Sequence, residues 1–345
     1  MEFSASEQRA MRRALELART PGVPLGPNPR VGCVLLDADG AEIAEGYHRG
    51  AGTPHAEAAA LAEAGADARG ATAVVTLEPC NHTGRTGPCA QAMVEAGVSR
   101  VVFAQPDPNP IAAGGESTLR AAGVEVAFGL MEREARALNR AWTFGMEHHR
   151  PFVTWKFAAT LDGRSAAADG SSRWVTSHPA RVDAHRLRAQ CDVMLVGTGT
   201  VEVDDPELTV RDEYDEPLAH QPLRAVMGLR ELDPDRRIFN DRAQTIRLET
   251  QDPREALDRL HRLDRQHVFL EGGPELAAAF VRAGLVDEVV AYVAPALLGA
   301  GTSAVGDLGI STIDDTLRLR IADVATVGTA AETNVRLTMT PKENH

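Results

Sequence analysis

Short apolar runs and amphipathic stretches alternate along the chain, a pattern typical of an α/β protein in which helices cover a sheet. The first helix is predicted to start at the capping box Ser4-x-x-Glu7, to carry Met11, Leu15 and Ala18 on one face, and to be broken by Pro27-Asn28-Pro29. The other elements of the first half are predicted in this order: strand Val31 to Leu36, strand Glu42 to Glu45, helix His55 to Ala64, strand Val74 to Leu77, helix Ala90 to Ala96, strand Val101 to Ala104, helix Ser117 to Ala122 and helix Met131 to His148.

A second domain is predicted where Arg150-Pro151 restarts the chain as a strand, which gives domains of residues 1–148 and 149–345. The polar stretches 211–221 and, in part, 240–252 are expected to be exposed loops. The predicted elements of this domain are strands Phe152 to Lys156, Val193 to Val196, Ala225 to Met227, His267 to Leu270 and Glu288 to Val293, and helix Glu275 to Ala283.

Composition places the chain among ordinary globular proteins: 345 residues, 43% hydrophobic and 25% charged, are enough for two cores. No apolar run approaches the length of a membrane span, and the start of the chain lacks a signal-peptide layout. Four cysteines are too few for a disulfide framework. We therefore expect a cytoplasmic protein without a membrane partner. A net charge of −13 also disfavours nucleic acid as a partner.

His55-Ala56-Glu57, Pro79-Cys80 and Cys89 carry the most specific chemistry of the first half. One histidine and two cysteines fill three positions of a tetrahedral zinc site and leave the fourth open, as a catalytic zinc requires. Glu57 is then a spare carboxylate for proton transfer, the arrangement of a zinc-dependent deaminase. A structural zinc, or simply buried cysteines, is the alternative. The strand end before Cys80 and the helix start at Cys89 favour the catalytic site.

Two glycine-rich segments follow apolar strands in the second half, Gly197-Thr198-Gly199-Thr200 and Glu271-Gly272-Gly273-Pro274. No Gly-x-Gly-x-x-Gly follows a strand, so the Rossmann fingerprint is absent. Free N–H groups at a helix start suit a phosphate, although a plain strand-to-helix turn explains each segment alone. Together with Lys156, Arg188 and Arg211 the two segments favour phosphate recognition.

Over nearly its whole length the chain resembles the bifunctional deaminase/reductase family of riboflavin biosynthesis. The motifs of the first half are Pro27-Asn28-Pro29-x-Val31-Gly32, Gly46-Tyr47-His48, His55-Ala56-Glu57, Thr76-Leu77-Glu78-Pro79-Cys80, His82-x-Gly84-Arg85-Thr86, Cys89 and Asp107-Pro108-Asn109-Pro110. Those of the second half are Lys156, Leu161-Asp162-Gly163-Arg164, Trp174-x-Thr176-Ser177, Leu187-Arg188-Ala189, Asp204-Asp205-Pro206-x-Leu208-Thr209-x-Arg211 and Glu271-Gly272-Gly273-Pro274. The eight residues between Cys80 and Cys89 set the chain apart from nucleic-acid and nucleoside deaminases, which usually have Cys-x-x-Cys.

The resemblance implies an N-terminal cytidine-deaminase-like α/β/α domain followed by a dihydrofolate-reductase-like α/β domain. The first would deaminate 2,5-diamino-6-ribosylamino-4(3H)-pyrimidinone 5′-phosphate with Zn²⁺, and the second would use NADPH to reduce the ribosyl group to ribityl. Zinc would be held by His55, Cys80 and Cys89, with Glu57 moving protons. Residues expected to bind substrate are Asn28, His82, Arg85, Ser172, Arg188, Leu208, Arg211 and Glu271. Residues expected to bind NADPH are Lys156, Ala158, Trp174, Thr200, Asp204 and Gly273, with Lys156 and Asp204 as candidates for tuning hydride transfer.

Three positions depart from the family pattern. Gly87 stands in Thr86-Gly87-Pro88-Cys89 where the family has proline, and Ala113-Gly114-Gly115-Glu116 lacks the usual basic residue. Gly228-Leu229 replaces the usual Asp-Ser after a strand, which removes one expected cofactor contact.

Other functions remain open on the sequence. The deaminase alone could be active beside a degenerate or repurposed reductase domain, or the zinc site could act on another nucleoside or base. A silent zinc scaffold or ligand sensor is a further alternative, although such a site would not need Glu57. Paired domains of this kind often associate, so we expect a homo-oligomer with a small phosphorylated pyrimidine as its substrate.

Overall fold

The computed structural model describes residues 2–23, 26–82, 87–329 and 332–342. Its contacts divide the chain into two compact units, Met1–His149 and Arg150–His345. None of the helices in the described residues combines the length and the apolar character needed to cross a membrane.

The first unit contains a five-stranded sheet in the order β2-β1-β3-β4-β5, in which β1 is antiparallel to both of its neighbours and β3, β4 and β5 are parallel. Its strands are β1 Gly32–Leu36, β2 Glu42–Tyr47, β3 Thr72–Leu77, β4 Arg100–Gln105 and β5 Glu125–Phe128. Its helices are α1 Ala5–Ala18, α2 Ala56–Ala64, α3 Cys89–Ala96, α4 Gly115–Ala121, α5 Glu132–Leu138 and α6 Arg140–His148.

Both faces of this sheet are covered, because successive strand residues point to opposite sides. Cys33 and Leu35 face the core beneath α2 and α3, whereas Val34 and Leu36 face the core beneath α1 and α5. Contact between layers is close at Gly46, where an added Cβ would lie 2.3 Å from the carbonyl oxygen of Ala56. Glycine at this position therefore allows the first turn of α2 to rest directly on β2.

Two predicted helices of this unit differ from the structure. The capping box at Ser4 and Glu7 is confirmed, but α1 ends at Ala18, well before Pro27. Pro21 cannot continue a helix, and Thr20 closes the last turn by donating from Oγ1 to the carbonyl oxygen of Leu17. The single helix predicted over 131–148 is two helices that meet at Asn139.

Asn139 interrupts the helical segment because its side chain pairs with backbone far away in the sequence. Its Oδ1 accepts from the N–H of Arg30 at 2.8 Å, and its Nδ2 donates to the carbonyl oxygen of Arg30 at 2.8 Å. These bonds hold the segment before β1 against α6. Strand β5, which follows α4, was not predicted at all.

The second unit is built on an eight-stranded sheet in the order β10-β9-β8-β11-β6-β12-β15-β14, parallel from β10 to β12 and antiparallel beyond. Its strands are β6 Phe152–Thr160, β7 Arg164–Ala166, β8 Val193–Gly197, β9 Leu223–Met227, β10 Thr245–Leu248, β11 His267–Leu270, β12 Glu288–Ala294, β13 Thr302–Ser303, β14 Leu319–Val327 and β15 Asn334–Pro341. Its helices are α7 His178–Arg188, α8 Thr198–Asp204, α9 Pro253–Arg262 and α10 Pro274–Arg282.

Register within this sheet brings distant residues level with one another. Leu270 at the end of β11 pairs with Trp155 of β6, so the next residues, Glu271 and Lys156, are neighbours. On the other side of β6, Lys156 pairs with Val290 of β12. Ligands of parallel α/β sheets bind beyond the carboxyl ends of the strands, and Glu271 lies at such an end.

Several elements of this unit were missed or misplaced by the sequence analysis. Strand β10 lies inside the stretch 240–252 that was expected to be partly loop, with Leu248 buried. The glycine-rich segment after β8 is not a loop, because α8 begins at Thr198 with Gly197 as its N-cap. Helices α7 and α9 and strands β14 and β15 were not predicted.

Replacement of Gly46 by alanine tests the close contact between β2 and α2. The added methyl would overlap the backbone of Ala56 and Ala60, and overpacking of this kind costs about 1–3 kcal/mol. We expect a lower midpoint of thermal unfolding, measured by calorimetry. Gly87→Ala is the matched control, since a Cβ added there would have no atom within 4 Å. An unchanged midpoint for Gly46→Ala would contradict the described packing.

Candidate active sites

Three side chains converge in the first unit to form a cluster that could hold a metal ion. Nδ1 of His55 lies 3.3 Å from Sγ of Cys89 and 3.5 Å from Sγ of Cys80. The three ligand atoms all lie within 4.8 Å of one another, and both cysteines are buried. One imidazole and two thiols at this separation fit the donor set of a catalytic zinc site.

Local structure explains why these three residues meet. The sequence predicted His55 in the first turn of α2, but His55 is the N-cap residue that precedes this helix. Cys80 follows the end of β3, and Cys89 is the first residue of α3. The N–H of Cys89 donates to Sγ of Cys80 at 3.4 Å. Hydrogen bonds from Cys89 and His55 lower the pKa of the Cys80 thiol to about 4, which favours the thiolate that binds metal.

Glu57 is the buried carboxylate beside this cluster. It is the second residue of α2, only 4% of its surface is exposed, and burial raises the pKa of its carboxyl to about 7. It lines a cavity of about 200 Å³ together with His55 and Cys80. A buried carboxylate facing the ligand cluster can take up and release protons without being one of the three ligands.

A histidine that received no role from the sequence orients Asn28 in the same cavity. Nδ1 of His48 lies 3.0 Å from the carbonyl oxygen of Pro54 and Nε2 lies 3.0 Å from Nδ2 of Asn28. His48 therefore donates through Nδ1 and accepts through Nε2. Burial lowers the pKa of His48, which agrees with a neutral ring. Oδ1 of Asn28 is left to accept a hydrogen bond from a ligand.

Glu78 lines this cavity and anchors one segment of its wall. It is the residue after β3 and accepts from three backbone N–H groups, those of Asp107, Gly114 and Glu116, each at 3.1 Å. Burial raises the pKa of Asp107 to about 6. The segment between β4 and α4 is thus attached to the end of β3 through one carboxylate.

Two further residues were predicted to bind the substrate of this cavity, His82 at the pyrimidine and Arg85 near the phosphate end. His82 lines the cavity, and its Nδ1 is buried without a partner among the described residues. Arg85 lies outside the described residues. The roles of both remain predictions.

Glu271 is the centre of the cavity in the second unit. Nζ of Lys156 donates to its Oε1 at 2.8 Å, and Nε of Arg188 donates to its Oε2 at 2.8 Å. Burial alone would raise the pKa of Glu271, but the charges of Arg188 and Lys156 outweigh it and lower this pKa to about 2. The carboxylate is therefore ionised at any physiological pH.

A cavity of about 700 Å³ surrounds this triad. Of the residues predicted for this half, those lining it are Lys156, Ala158, Ser172, Trp174, Arg188, Thr200, Asp204, Leu208, Arg211 and Glu271. Gly273 borders it through one hydrogen bond, since its N–H donates to Oγ1 of Thr200 at 3.1 Å. The structure thus places the predicted residues of the second half together, while their individual roles remain predictions.

Arg211 is held at the rim of this cavity by carboxylates. It is paired with Glu207 and with Asp215, and its Nε donates to Oγ1 of Thr209 at 3.1 Å. Glu207 is 9% exposed and also pairs with Arg237 and Arg242. These pairs fix the direction of the Arg211 guanidinium before any ligand binds.

Trp174 presents an open aromatic surface in the same cavity. It is 67% exposed, and the guanidinium carbon of Arg181 lies 4.3 Å from its ring centroid. A flat ring backed by a cation suits stacking against a planar ligand.

Other lining residues escaped the sequence analysis. Two of them are Tyr292, whose hydroxyl donates to Asp183 at 2.7 Å, and His185, which lies three residues before Arg188 on α7. The spacing of His185 and Arg188 could have indicated one helical face, but α7 itself was not predicted.

Packing accounts for the glycine at two of the positions that depart from the family pattern. A Cβ at Gly115 would lie 1.8 Å from the carbonyl oxygen of Pro79, so no side chain fits there. Gly228 has φ of +136°, and its Cβ would lie 2.7 Å from Oγ1 of Thr198. Each glycine is required by its present surroundings, and neither position can restore the missing contact by simple substitution.

Comparison with known families divides the chain in the same order as the two units. Residues 4–105 match the cytidine and deoxycytidylate deaminase zinc-binding region, and residues 151–332 match the RibD C-terminal domain. The α/β folds predicted for the two halves are thereby confirmed.

Full-length relatives cover most of the chain. Riboflavin biosynthesis protein RibD of Mycobacterium tuberculosis (strain ATCC 25618 / H37Rv) is 49% identical over 88% of this chain and 89% of its own length. The RibD of Escherichia coli (strain K12) is 41% identical over 92% of this chain and 96% of its own.

Solved structures agree with these relatives. RibD of Acinetobacter baumannii superposes with a TM-score of 0.90 at 38% identity and covers 98% of this chain and 99% of its own. A diaminohydroxyphosphoribosylaminopyrimidine deaminase/5-amino-6-(5-phosphoribosylamino)uracil reductase from Thermotoga maritima gives a TM-score of 0.86 at 31% identity, with coverage of 98% of this chain and 99% of its own.

Glu78→Gln tests whether this carboxylate holds the cavity wall. The new amide NH₂ must face at least one backbone N–H of the segment 107–116, and a buried donor left unsatisfied costs about 1–3 kcal/mol. We expect faster hydrogen exchange at the amides of Asp107, Gly114 and Glu116, with zinc content unchanged. The exposed Glu95→Gln on α3 is the control. Unaltered exchange at all three amides would rule out this role.

Proposed function

The chain belongs to the RibD family of riboflavin-biosynthesis proteins, and we propose that its two cavities catalyse the two reactions of that family in succession. It is a bifunctional deaminase and reductase with zinc and NADPH as cofactors. The first reaction would be hydrolytic deamination of 2,5-diamino-6-ribosylamino-4(3H)-pyrimidinone 5′-phosphate. The second would be reduction of the ribosyl group of the product to ribityl. The convergence of His55, Cys80 and Cys89 beside Glu57 is the observation that supports this assignment most strongly.

In the deaminase cavity, His55, Cys80 and Cys89 would hold the zinc ion. When bound there, zinc lowers the pKa of a water molecule and so supplies a nucleophile near neutral pH. Glu57 would take one proton from that water and deliver it to a ring nitrogen. It would then move the remaining proton of the added hydroxyl to the amino group, which leaves as ammonia. Asn28, fixed by His48, would accept a hydrogen bond from the pyrimidine through Oδ1.

In the reductase cavity, the substrate would bind as its ring-opened imine. NADPH bound there would supply a hydride for C1′, and the imine nitrogen would take up a proton from solvent. Glu271 would accept hydrogen bonds from ribose hydroxyl groups, since it stays ionised. Arg188 and Arg211 would bind the phosphate, and Trp174, Thr200, Asp204 and the Gly273 segment would hold the cofactor. Lys156 and Asp204 are the candidates for tuning hydride transfer.

The assembly and location of the protein are further parts of this proposal. We expect a homo-oligomer in the cytoplasm that acts on a small phosphorylated pyrimidine and binds no nucleic acid. Sedimentation of the purified protein would measure its oligomeric state.

Mass spectrometry of the products tests both reactions at once. The zinc-loaded protein is given the diaminopyrimidine ribosylphosphate with and without NADPH. We expect conversion of an amino group to a carbonyl without NADPH, and the gain of two further hydrogens with it. Deamination without reduction would instead support the alternative in which the reductase is inactive because Gly228-Leu229 lacks an expected cofactor contact. Ammonia release from cytidine or tRNA, but not from this substrate, would overturn the proposed substrate.

Glu57→Gln is expected to abolish ammonia release while zinc stays bound. The amide cannot carry the proton, and loss of general acid–base catalysis costs about 10²- to 10⁴-fold in rate. Metal content is measured by atomic emission, and the reductase is assayed on the deaminated product, where activity should be unchanged. Persistent deamination by this variant would refute the assigned mechanism.

Arg188→Ala is expected to raise KM for the deaminated substrate at least tenfold while KM for NADPH changes little. The variant removes a charged donor to the phosphate and leaves Glu271 with Lys156 alone. Steady-state kinetics of the reductase step provide both constants. Arg186→Ala, on the exposed side of the same helix, is the control. An equal rise in both KM values would contradict a role specific to the substrate.

A further inference from the structure

His185 lies in the reductase cavity beside both arginines proposed to bind phosphate. It is half-buried on α7 and is one helical turn from Arg188, so the two residues share a face. Its Nδ1 lies 3.1 Å from the backbone N of Arg211, which donates to it. The ring therefore connects α7 with the segment that carries Arg211.

This hydrogen bond determines the tautomer of the ring. Nδ1 accepts from an N–H and must carry a lone pair, so the proton of the neutral imidazole is on Nε2. Burial and the charge of Arg188 lower the pKa of His185 to about 4, so the ring remains neutral at physiological pH. Glu271 and Asp215 raise this pKa and Arg211 lowers it further.

Nε2 is the ring nitrogen of His185 that the contact with Arg211 does not use. Across residues 2–23, 26–82, 87–329 and 332–342 it has no hydrogen-bond partner, and it is not among the buried polar atoms that lack one. An unpartnered nitrogen that is not buried, on a residue lining the cavity, is available to a ligand. The only group it can offer is an N–H donor.

The charges around this donor indicate what it would bind. Arg188 is paired with Glu271, and Arg211 with Glu207 and Asp215, so each cation already has a carboxylate. A third cation here would be repelled by both arginines, whereas a neutral N–H adds a hydrogen bond without that repulsion. Anions with several acceptor oxygens, such as a phosphate, use such a mixed set of donors well.

We propose that His185 is a substrate-binding residue of the reductase, whose Nε2–H donates a hydrogen bond to the substrate phosphate alongside Arg188 and Arg211. This inference rests on the proposed function, which supplies the phosphorylated substrate. It adds a neutral donor to the two guanidinium groups and gives α7 two contacts with the same phosphate.

Two substitutions separate this role from mere support of Arg211. In His185→Asn the side-chain oxygen can replace Nδ1 as acceptor for the Arg211 N–H, but the donor at Nε2 is lost. In His185→Gln the amide NH₂ can replace Nε2 as donor, but the acceptor at Nδ1 is lost. The two variants therefore remove opposite halves of the ring's hydrogen bonding.

The measurement is steady-state kinetics of the reductase step with the deaminated substrate and with its dephosphorylated form, at saturating NADPH. For the phosphorylated substrate we expect KM to rise about 10- to 100-fold in His185→Asn, because loss of a hydrogen bond to a charged group typically weakens binding by about this factor. In His185→Gln we expect a much smaller rise in KM. For the dephosphorylated form, wild type and His185→Asn should agree. Thermal midpoints and KM for NADPH should match those of Arg186→Gln, the exposed control.

Two outcomes would overturn the proposal. A larger loss in His185→Gln than in His185→Asn would mean that the ring only supports Arg211. An equal loss in His185→Asn on both substrate forms would place its contact away from the phosphate. If the wild-type protein reduces neither form, the proposed function fails instead. Calorimetric binding of ribose 5-phosphate to wild type and both variants then decides the role of His185 separately.

Discussion

In the main sheet of each unit, one parallel strand is followed by a carboxylate with little exposure to water, and the cavities depend on how that charge is compensated. Glu78 is the residue after β3, and Glu271 is the residue after β11. Glu78 is 8% exposed and the side chain of Glu271 is 14% exposed. Removing a charge from water without compensation costs on the order of several kcal/mol. Glu78 is satisfied by three backbone N–H groups, whereas Glu271 is satisfied by the side chains of Lys156 and Arg188. The segments that supply these donors are thereby drawn to the carboxyl edge of each sheet.

The two kinds of compensation have different chemical consequences. Backbone amides cannot move without the chain, so Glu78 gives the deaminase cavity a fixed wall around a small volume. Side-chain cations can turn toward a ligand, so Lys156 and Arg188 can contact a substrate while still bonded to Glu271. The larger reductase cavity suits two ligands that must bind and leave. The deaminase has one substrate and a metal that remains in place.

Much of this arrangement follows from local sequence signals. The capping box at Ser4 and the apolar runs of the central strands are short-range features, and they were predicted correctly. The strand end before Cys80 and the helix start at Cys89 are also short-range features of the sequence. The break at Asn139 was missed because its partner, Arg30, is 109 residues away. The pair between Lys156 and Glu271 spans 115 residues and depends on the register of β11 against β6. Such contacts leave no periodicity in either segment.

The glycines that depart from the family pattern show why a motif cannot be interpreted one residue at a time. A missing basic side chain at Gly115 suggests a lost contact, yet the carbonyl of Pro79 occupies the space that a Cβ would need. Pro79 immediately precedes Cys80, so a larger residue at 115 would displace the segment that carries this predicted ligand. The absence of a charge there is therefore a condition of the cluster's geometry in this chain. If the proposed substrate binds there, a cation for its phosphate would have to come from another part of the cavity.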